Sequence, residues 1–141
     1  MNNTQQKENL KIALTIAGSD PTGGAGLQAD LRTFKAMGVQ GMGVPSVLTA
    51  QNTKGVHSVH ELPAGFVAEQ LDILLQDIRP DALKTGMLYN SDIINAVADK
   101  IGQYSLQNLV IDPVTVSSRA RRETPPHAPA ARAPVAWPGA S

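Results

Sequence analysis

The sequence contains no cysteine, no excess of charge of either sign and no long apolar run. Without cysteine the chain can form no disulfide, no thiolate metal site and no cysteine nucleophile. Its 12 basic and 12 acidic residues balance, so no net field attracts nucleic acid or a membrane surface. Its apolar runs are far shorter than the roughly 20 residues that span a bilayer, and its polar start lacks the apolar stretch of a secretion signal. We therefore expect a cytoplasmic protein with no nucleic-acid or membrane partner.

The composition changes at residue 119. Up to Ser118 the chain is rich in Ile, Leu, Val and Gly, whereas residues 119–141 hold four arginines, five prolines and seven alanines. Proline blocks helix and strand, and little apolar area remains to offset the entropy of ordering, so we expect a disordered tail. A natural Pro/Ala-rich tail is one origin. We favour out-of-frame reading of GC-rich DNA, because the change falls inside a loop that should continue.

After a flexible segment at residues 1–10, apolar runs alternate with amphipathic segments. Strands are predicted at Ile12–Ala17, Gly41–Ala50, Ala82–Thr85 and Leu109–Asp112, and an exposed flap follows the second strand. Apolar residues recur with helical spacing in three segments. The first contains Leu27, Leu31 and Phe34, and the second runs from Val67 to Ile78. The third contains Ile94, Val97 and Ile101, and Ser91 is its predicted N-cap. Strands that alternate with helices predict an α/β fold over residues 11–118, with a mainly parallel sheet between helices.

A glycine-rich turn follows the first predicted strand. It has four glycines between Gly18 and Gly26, which would let the backbone approach a ligand at a helix start. The turn is not a P-loop, because Gly24 and Ala25 stand where Lys and Ser or Thr should follow. It also lacks the third glycine of a dinucleotide fingerprint, since position 29 is Ala29. The alternative to a ligand site is a strand-to-helix turn that simply needs positive φ.

Two polar side chains are candidates to face this turn. Asp30 lies one helical turn after Gly26, and we place it on the helix face opposite the apolar stripe, pointing towards whatever occupies the turn. Gln51 follows the second predicted strand, at the carboxyl edge where α/β proteins bind ligands. Its amide offers a donor and an acceptor side by side, which can pair with an aminopyrimidine edge. Taken alone, each residue is more often an ordinary solvated side chain.

Four motifs together carry a family resemblance: LTIAGSDPTGGAGLQADLRTF, SVLTAQNTKGV, LKTGML and LVIDPV. In this order and spacing they resemble the N-terminal half of the hydroxymethylpyrimidine/phosphomethylpyrimidine kinases of thiamine biosynthesis, which belong to the ribokinase-like superfamily. The match extends from about Ile12 to Val116. It implies a truncated ribokinase-like three-layer α/β/α fold.

The resemblance also implies an activity. Such a kinase transfers the γ-phosphoryl group of ATP, with Mg²⁺, to 4-amino-5-hydroxymethyl-2-methylpyrimidine and then to its monophosphate. By position, the family's pyrimidine pocket corresponds to Gly18, Ala25, Asp30, Gln51, Met87 and Val114. Gln51 is the residue that favours this pyrimidine over the pyridoxal of related kinases. Asp112 suits a role at Mg²⁺ or at the phosphate.

The sequence departs from the family after the DPV motif. The later Asn/Glu motif, the Gly-Thr-Gly-Cys anion hole and the rest of the nucleotide site are absent, and the catalytic base is expected in that missing half. We therefore expect little activity from this chain, with marginal stability and an apolar sheet edge that homodimer formation or aggregation would bury. A binding or interaction fragment without turnover is the second hypothesis, and a pyridoxal kinase the third.

Overall fold

The computed structural model describes residues 10–114. The expected tail at 119–141 and the flexible segment at 1–10, apart from its last residue, lie outside this range. The order of the elements is β1 Ile12–Ala17, α1 Gly26–Ala36, β2 Gln40–Pro45, β3 Val47–Asn52, β4 Gly55–Glu61, α2 Ala64–Asp77, β5 Ala82–Thr85, α3 Ser91–Gln103 and β6 Leu109–Ile111. In residues 10–114 no helix has the length and hydropathy needed to cross a membrane.

Four strands form the main sheet, in the order β2-β1-β5-β6. All three neighbouring pairs are parallel, which confirms the predicted parallel sheet. Because the strands run the same way, their carboxyl ends lie at one edge, and the segments after β1, β5 and β6 meet there. The backbone joins them: Gly86 N donates to Ile16 O and Asp112 N to Thr85 O, each at 2.9 Å.

Helices cover the two faces of this sheet in separate layers. On β1, Leu14 and Ile16 belong to the core cluster that also contains Val67 and Leu71 of α2 and Val97 of α3. Side chains alternate between the faces of a strand, so the intervening Thr15 faces the other side, where its hydroxyl reaches Asp30 of α1. Helix α1 therefore lies opposite α2 and α3, in the predicted α/β/α order.

Two strand glycines let α1 pack closely on β2. A Cβ at Gly41 would come within 2.9 Å of Leu31 Cδ2, and one at Gly43 within 3.0 Å of Leu27 Cδ1. Side chains at these positions would push the helix away from the sheet. The apolar stripe of α1 thus packs on bare backbone, which explains glycines in a strand that they would otherwise weaken.

The predicted second strand, Gly41–Ala50, is in fact two strands in two sheets. β2 ends at Pro45, and Ser46 then donates its N–H to Ala17 O at 3.0 Å and its hydroxyl to Met87 O at 2.6 Å. These bonds turn the chain out of the main sheet. β3 pairs instead with β4 as an antiparallel hairpin, so Gln51 lies within β3 and does not follow a strand of the main sheet.

The N-cap of the third helix lies one residue before the predicted one. Asn90, not Ser91, is the N-cap, because its side-chain oxygen accepts from Ile93 N at 2.9 Å. Asn and Ser are both favourable caps, so composition alone did not separate the two neighbours. The first helical residue is Ser91.

The outer strand β6 leaves apolar side chains uncovered in residues 10–114. Val110 is 61% exposed and Ile111 40%, in agreement with the expected apolar sheet edge. β6 ends at Ile111, so Asp112 is the first residue after it. The expected marginal stability and homodimer stay predictions.

We predict that Leu71→Ala destabilises the fold by about 2–5 kcal/mol, because it leaves a cavity in the core cluster. Leu71 is 1% exposed, whereas Ile73 on the same helix is 67% exposed. Ile73→Ala is the matched control and should change the free energy of unfolding by less than about 0.5 kcal/mol. Urea unfolding followed by far-UV circular dichroism measures both. Equal losses would contradict the assignment of the core.

Candidate functional site

The glycine-rich turn between β1 and α1 is organised by Asp20, which is 5% exposed. Its Oδ1 accepts from the N–H and the hydroxyl of Thr22, at 2.9 and 2.8 Å. Its Oδ2 accepts from Ala25 N at 2.9 Å, and Ala25 is the N-cap residue of α1. Asp20 therefore binds backbone donors on both sides of the turn and fixes its shape.

The pKa of Asp20 lies below its ordinary value of 3.8. Burial alone would raise this pKa, but the hydrogen bonds from the Thr22 hydroxyl and from the backbone N–H groups of Thr22, Ala25 and Gly24 together outweigh it. Asp20 is thus held as a carboxylate inside the turn.

Two of the glycines, Gly23 and Gly26, are required by the backbone geometry of the turn. Gly23 and Gly26 have φ of +72° and +59°, which L side chains rarely adopt. Gly26 also lies against the carbonyl oxygen of Gly18, so that an added Cβ would collide with it. That same oxygen accepts from Leu27 N at 2.9 Å. The turn is closed onto the end of β1, and two of its four glycines are explained by backbone geometry.

Gly18 and Met87 meet where β1 and β5 end. A Cβ at Gly18 would lie 2.8 Å from Met87 Cε and 2.9 Å from Val47 Cγ1. Met87 is half-buried, and its carbonyl oxygen is held by the Ser46 hydroxyl. The absence of a side chain at Gly18 therefore makes room for a thioether and a valine at this edge of the sheet.

Asp30 points into the sheet face, which corrects the prediction that it lies opposite the apolar stripe. Its Oδ2 accepts from Thr15 Oγ1 at 2.6 Å, and both carboxylate oxygens accept from Lys84 Nζ at 2.9 Å. Asp30 is three residues after Leu27, and residues three apart share a helix face. This spacing places the Asp30 carboxylate on the sheet face, against β1 and β5.

Lys84 joins two of the predicted site residues. Its Nζ lies 2.9 Å from Asp30 and 3.7 Å from Asp112 Oδ2. The side chains of Lys84 and Asp30 are 24% and 16% exposed, whereas that of Asp112 is 52% exposed. One ammonium therefore lies between a mostly buried carboxylate and an open one at the carboxyl edge.

Gln51 reaches the same region from the hairpin. Thr49 Oγ1 lies 3.2 Å from Gln51 Oε1, and the same hydroxyl donates to Ser19 O at 2.8 Å. Thr49 N donates to Ser19 Oγ at 3.2 Å. These contacts fasten β3 to the glycine-rich turn, so Gln51 comes to the turn through Thr49 although it lies in another sheet.

Val114 is the last residue that the structure describes. It is 43% exposed, and its N–H donates to the carbonyl oxygen of Asp112 at 2.8 Å. The structure thus groups Gly18, Ala25 and Met87 around the turn and joins Asp30 to Asp112 through Lys84.

Sequence reasoning missed Asp20, Lys84 and Thr49. The stretch Asp-Pro-Thr was a usable signal for Asp20, since Asp commonly binds the backbone N–H two residues on. Lys84 was visible as a cation inside the short strand ALKT. For Thr49 no local signal existed, because its partner Ser19 is 30 residues away.

Of the two carboxylates among the predicted site residues, that of Asp112 is the more open to a metal. Within 10–114 no group of three or more His, Cys, Asp or Glu side chains could hold an ion. Both oxygens of Asp30 accept from Lys84, which leaves Asp112 as the open carboxylate. Mg²⁺ is commonly bound by one or two carboxylates with substrate phosphates and water, so Asp112 fits it as a single protein ligand.

Comparison with known proteins identifies a kinase family. A family model described as phosphomethylpyrimidine kinase matches residues 20–133. The hydroxymethylpyrimidine/phosphomethylpyrimidine kinase of Bacillus subtilis is 51% identical over 105 residues, which are 74% of this chain and 39% of that protein. The chain spans about two fifths of the length of the curated hydroxymethylpyrimidine/phosphomethylpyrimidine kinases it matches and 21% of a longer, bifunctional relative.

Solved structures of related kinases share the fold. The phosphomethylpyrimidine kinase of Clostridium difficile superimposes with a TM-score of 0.73 at 45% identity, covering 77% of this chain and 47% of that one. The pyridoxal kinase of Staphylococcus aureus in complex with pyridoxal gives 0.68 at 41% identity, covering 76% and 40%. The α/β/α layers with a parallel sheet are thus part of a ribokinase-like fold.

We predict that Asp20→Asn destabilises the fold at neutral pH by about 1–3 kcal/mol, because an amide group replaces one acceptor oxygen opposite buried N–H donors. The pKa of Asp20 is lower in the folded state than its ordinary 3.8. Its stabilisation is therefore present above pH 3.8 and is lost as the pH falls through the folded pKa. Denaturant unfolding at a series of pH values should show the difference from wild type shrinking in acid.

The matched control for this change is Asp99→Asn, at an exposed position on α3. It should alter the free energy of unfolding little at any pH. A loss in Asp20→Asn that stays constant from neutral to acid pH would contradict the role of the Asp20 charge.

We predict that Lys84→Met destabilises the fold by about 1–3 kcal/mol, because it leaves the Asp30 carboxylate without its cation. Adding Asp30→Asn to this variant should recover part of the loss, since no mostly buried carboxylate is then left without its cation. The exposed pair Lys11–Asp81, with Nζ and Oδ1 2.7 Å apart, supplies the control: Lys11→Met should barely change the unfolding midpoint. A double variant less stable than Lys84→Met would contradict the pairing.

Proposed function

Because this chain belongs to the phosphomethylpyrimidine kinase family, we propose that it forms the pyrimidine-binding part of an ATP-dependent kinase. The substrates are 4-amino-5-hydroxymethyl-2-methylpyrimidine and its monophosphate. The pathway is thiamine biosynthesis, which a 50% identical relative from Geobacter sulfurreducens carries in its name. The observation that carries the proposal is the convergence of Gly18, Met87 and the Gln51 segment on the glycine-rich turn.

The pocket we propose combines apolar surface with a few polar groups, as small-molecule sites do. Met87 is half-buried and packs against Gly18 together with the fully buried Val47, so Met87 would offer an apolar contact to a flat ring. Val114 would add a second apolar side chain from the segment after β6. Gln51 would read the polar edge of the ring with its amide.

The charged residues would orient the group that reacts. Lys84 holds Asp30 in place from β5, and Asp30 would hydrogen-bond a polar substituent of the pyrimidine. Asp112 would hold Mg²⁺, which when bound neutralises phosphate charge during transfer. The positive N-terminal end of α1 lies at the same edge and favours an anionic phosphate.

A second candidate is a fragment that binds the pyrimidine without turnover. The chain spans about two fifths of the curated hydroxymethylpyrimidine/phosphomethylpyrimidine kinases it matches, and we find no nucleotide site or catalytic base among residues 10–114. Phosphoryl transfer depends on positioning and charge stabilisation around the transferred group. We therefore propose that residues 10–114 bind and orient the acceptor, and that the catalytic base and the ATP site belong to sequence outside them.

A pyridoxal kinase is the third candidate, and the 41% identity to the Staphylococcus aureus enzyme favours it. Gln51 argues for the pyrimidine, because a side-chain amide can pair with an amino group and a ring nitrogen at once.

We predict that the full chain binds the hydroxymethylpyrimidine in isothermal titration calorimetry and binds pyridoxal more weakly. Gln51→Ala should weaken pyrimidine binding about tenfold, as loss of a hydrogen bond in a buried site does. Gln76→Ala, on the exposed face of α2, is the control and should bind like wild type.

Three outcomes separate the candidates. Binding with ATP consumption would support a kinase, and binding without ATP consumption would support a fragment that only binds. Tighter binding of pyridoxal than of the pyrimidine would contradict the proposed substrate.

A further inference from the structure

The hydroxyl of Thr49 faces two oxygen atoms, and it has one proton to donate. Ser19 O lies 2.8 Å away and Gln51 Oε1 3.2 Å away. A backbone carbonyl can only accept, and the shorter contact is the one to Ser19. Thr49 therefore donates its hydroxyl proton to Ser19 O. Towards Gln51 the Thr49 oxygen can then only accept a hydrogen bond. Two acceptors facing each other repel, so an N–H group at that place on Gln51 would be more stable.

A side-chain amide can satisfy this requirement by a half turn. Its oxygen and nitrogen occupy nearly equivalent positions, and the hydrogen-bond network decides which is where. We propose that Gln51 donates from Nε2 to Thr49, so that its oxygen faces the pocket, and that Thr49 thereby makes the site select an amino over an oxo pyrimidine. Thr49 is then a positioning residue that acts through Gln51. This inference rests on the proposed function for its ligand.

Hydrogen bonds to the glycine-rich turn fix the position of the Thr49 side chain. Its backbone N–H donates to Ser19 Oγ at 3.2 Å, and Ser19 N donates to Val47 O at 2.9 Å. The hydroxyl bond to Ser19 O is a third tie between β3 and the glycine-rich turn. Thr49 and Gln51 are two apart on a strand and share a face, so a fixed hydroxyl can fix the amide.

The hairpin changes register beside Gln51. Ala50 pairs with Ser58, but Gln51 pairs with Val56, which leaves His57 as the extra residue of a bulge. Bulges often re-aim side chains next to binding sites. The register change thus lies at the residue whose direction matters for the ligand.

The orientation of the amide sets a pattern that a ligand must match. With Oε1 towards the pocket, Gln51 accepts from an exocyclic amino group, and the second Nε2 proton can donate to a ring nitrogen. A pyrimidine with a 4-oxo group presents the reverse pattern, with an acceptor oxygen and a ring N–H. Oxygen would then face oxygen, and a buried unpaired polar group costs affinity.

The test compares two ligands on three forms of the full chain. Calorimetry measures the affinities of the 4-amino pyrimidine and of its 4-oxo analogue for wild type, Thr49→Val and Thr49→Ser. Wild type should prefer the amino compound. Thr49→Val should reduce that preference about tenfold, because the Gln51 amide is then free to turn. Thr49→Ser keeps the hydroxyl and should restore the preference. A preference unchanged in Thr49→Val, or a wild type that binds the 4-oxo analogue more tightly, would overturn the inference.

A second measurement needs no ligand. In nuclear magnetic resonance of the free wild-type chain, the Gln51 Nε2 proton on the Cγ side of the amide should show a stronger nuclear Overhauser contact to the Thr49 side chain than the proton on the Oε1 side. The reverse order, with the amide assigned, would overturn the inference even if Thr49→Val fails to fold. The expected order together with no pyrimidine binding would support the amide orientation and refute the proposed function, so the two failures are distinguishable.

Discussion

The parallel pairing of β1 with β2 on one side and β5 on the other determines where everything else lies. Parallel strands end at a common edge, and each of the segments that follow must turn there. The chain after β1 becomes the glycine-rich turn, and the chain after β5 brings Met87 next to Gly18. β6 adds Asp112 at the same edge. The candidate site is therefore a consequence of the sheet, since its residues come from distant parts of the sequence.

Charge at this edge is arranged in two separate units. Asp20 is stabilised as a carboxylate by backbone N–H groups and a hydroxyl, so it shapes the turn without needing a cation. Asp30 is neutralised by Lys84, which also approaches Asp112. The first unit is internal to the turn, while the second reaches an open carboxylate.

Much of the fold followed from local pattern, and the failures have specific causes. β1 and β5 occupy the predicted residues, because alternating short apolar runs and helical stripes are strong signals. The break at Ser46 was not predictable from apolarity, since the run continues across it and its new bonds go to Ala17 and Met87. The predicted helix face of Asp30 was wrong because it was inferred from the distance to the glycine-rich turn. The spacing of three residues from Leu27 gives the correct face.

The site was less predictable than the fold for a related reason. The motif residues could be named from family resemblance, but their interactions depend on tertiary neighbours. Lys84 acquires its importance from Asp30, 54 residues away, and Thr49 from Ser19. Whether Gly18, Gln51, Met87 and Val114 contact a pyrimidine stays a prediction.

Binding of an aminopyrimidine at the carboxyl edge of the sheet is best tested by an amide chemical-shift titration of the full chain with the hydroxymethylpyrimidine. We expect saturable shifts confined to the turn at residues 18–26, to Gln51 and to Met87, with the exposed face of α2 unchanged. Shifts spread over α2 and α3, or no saturable shift at the turn, would contradict binding at this edge.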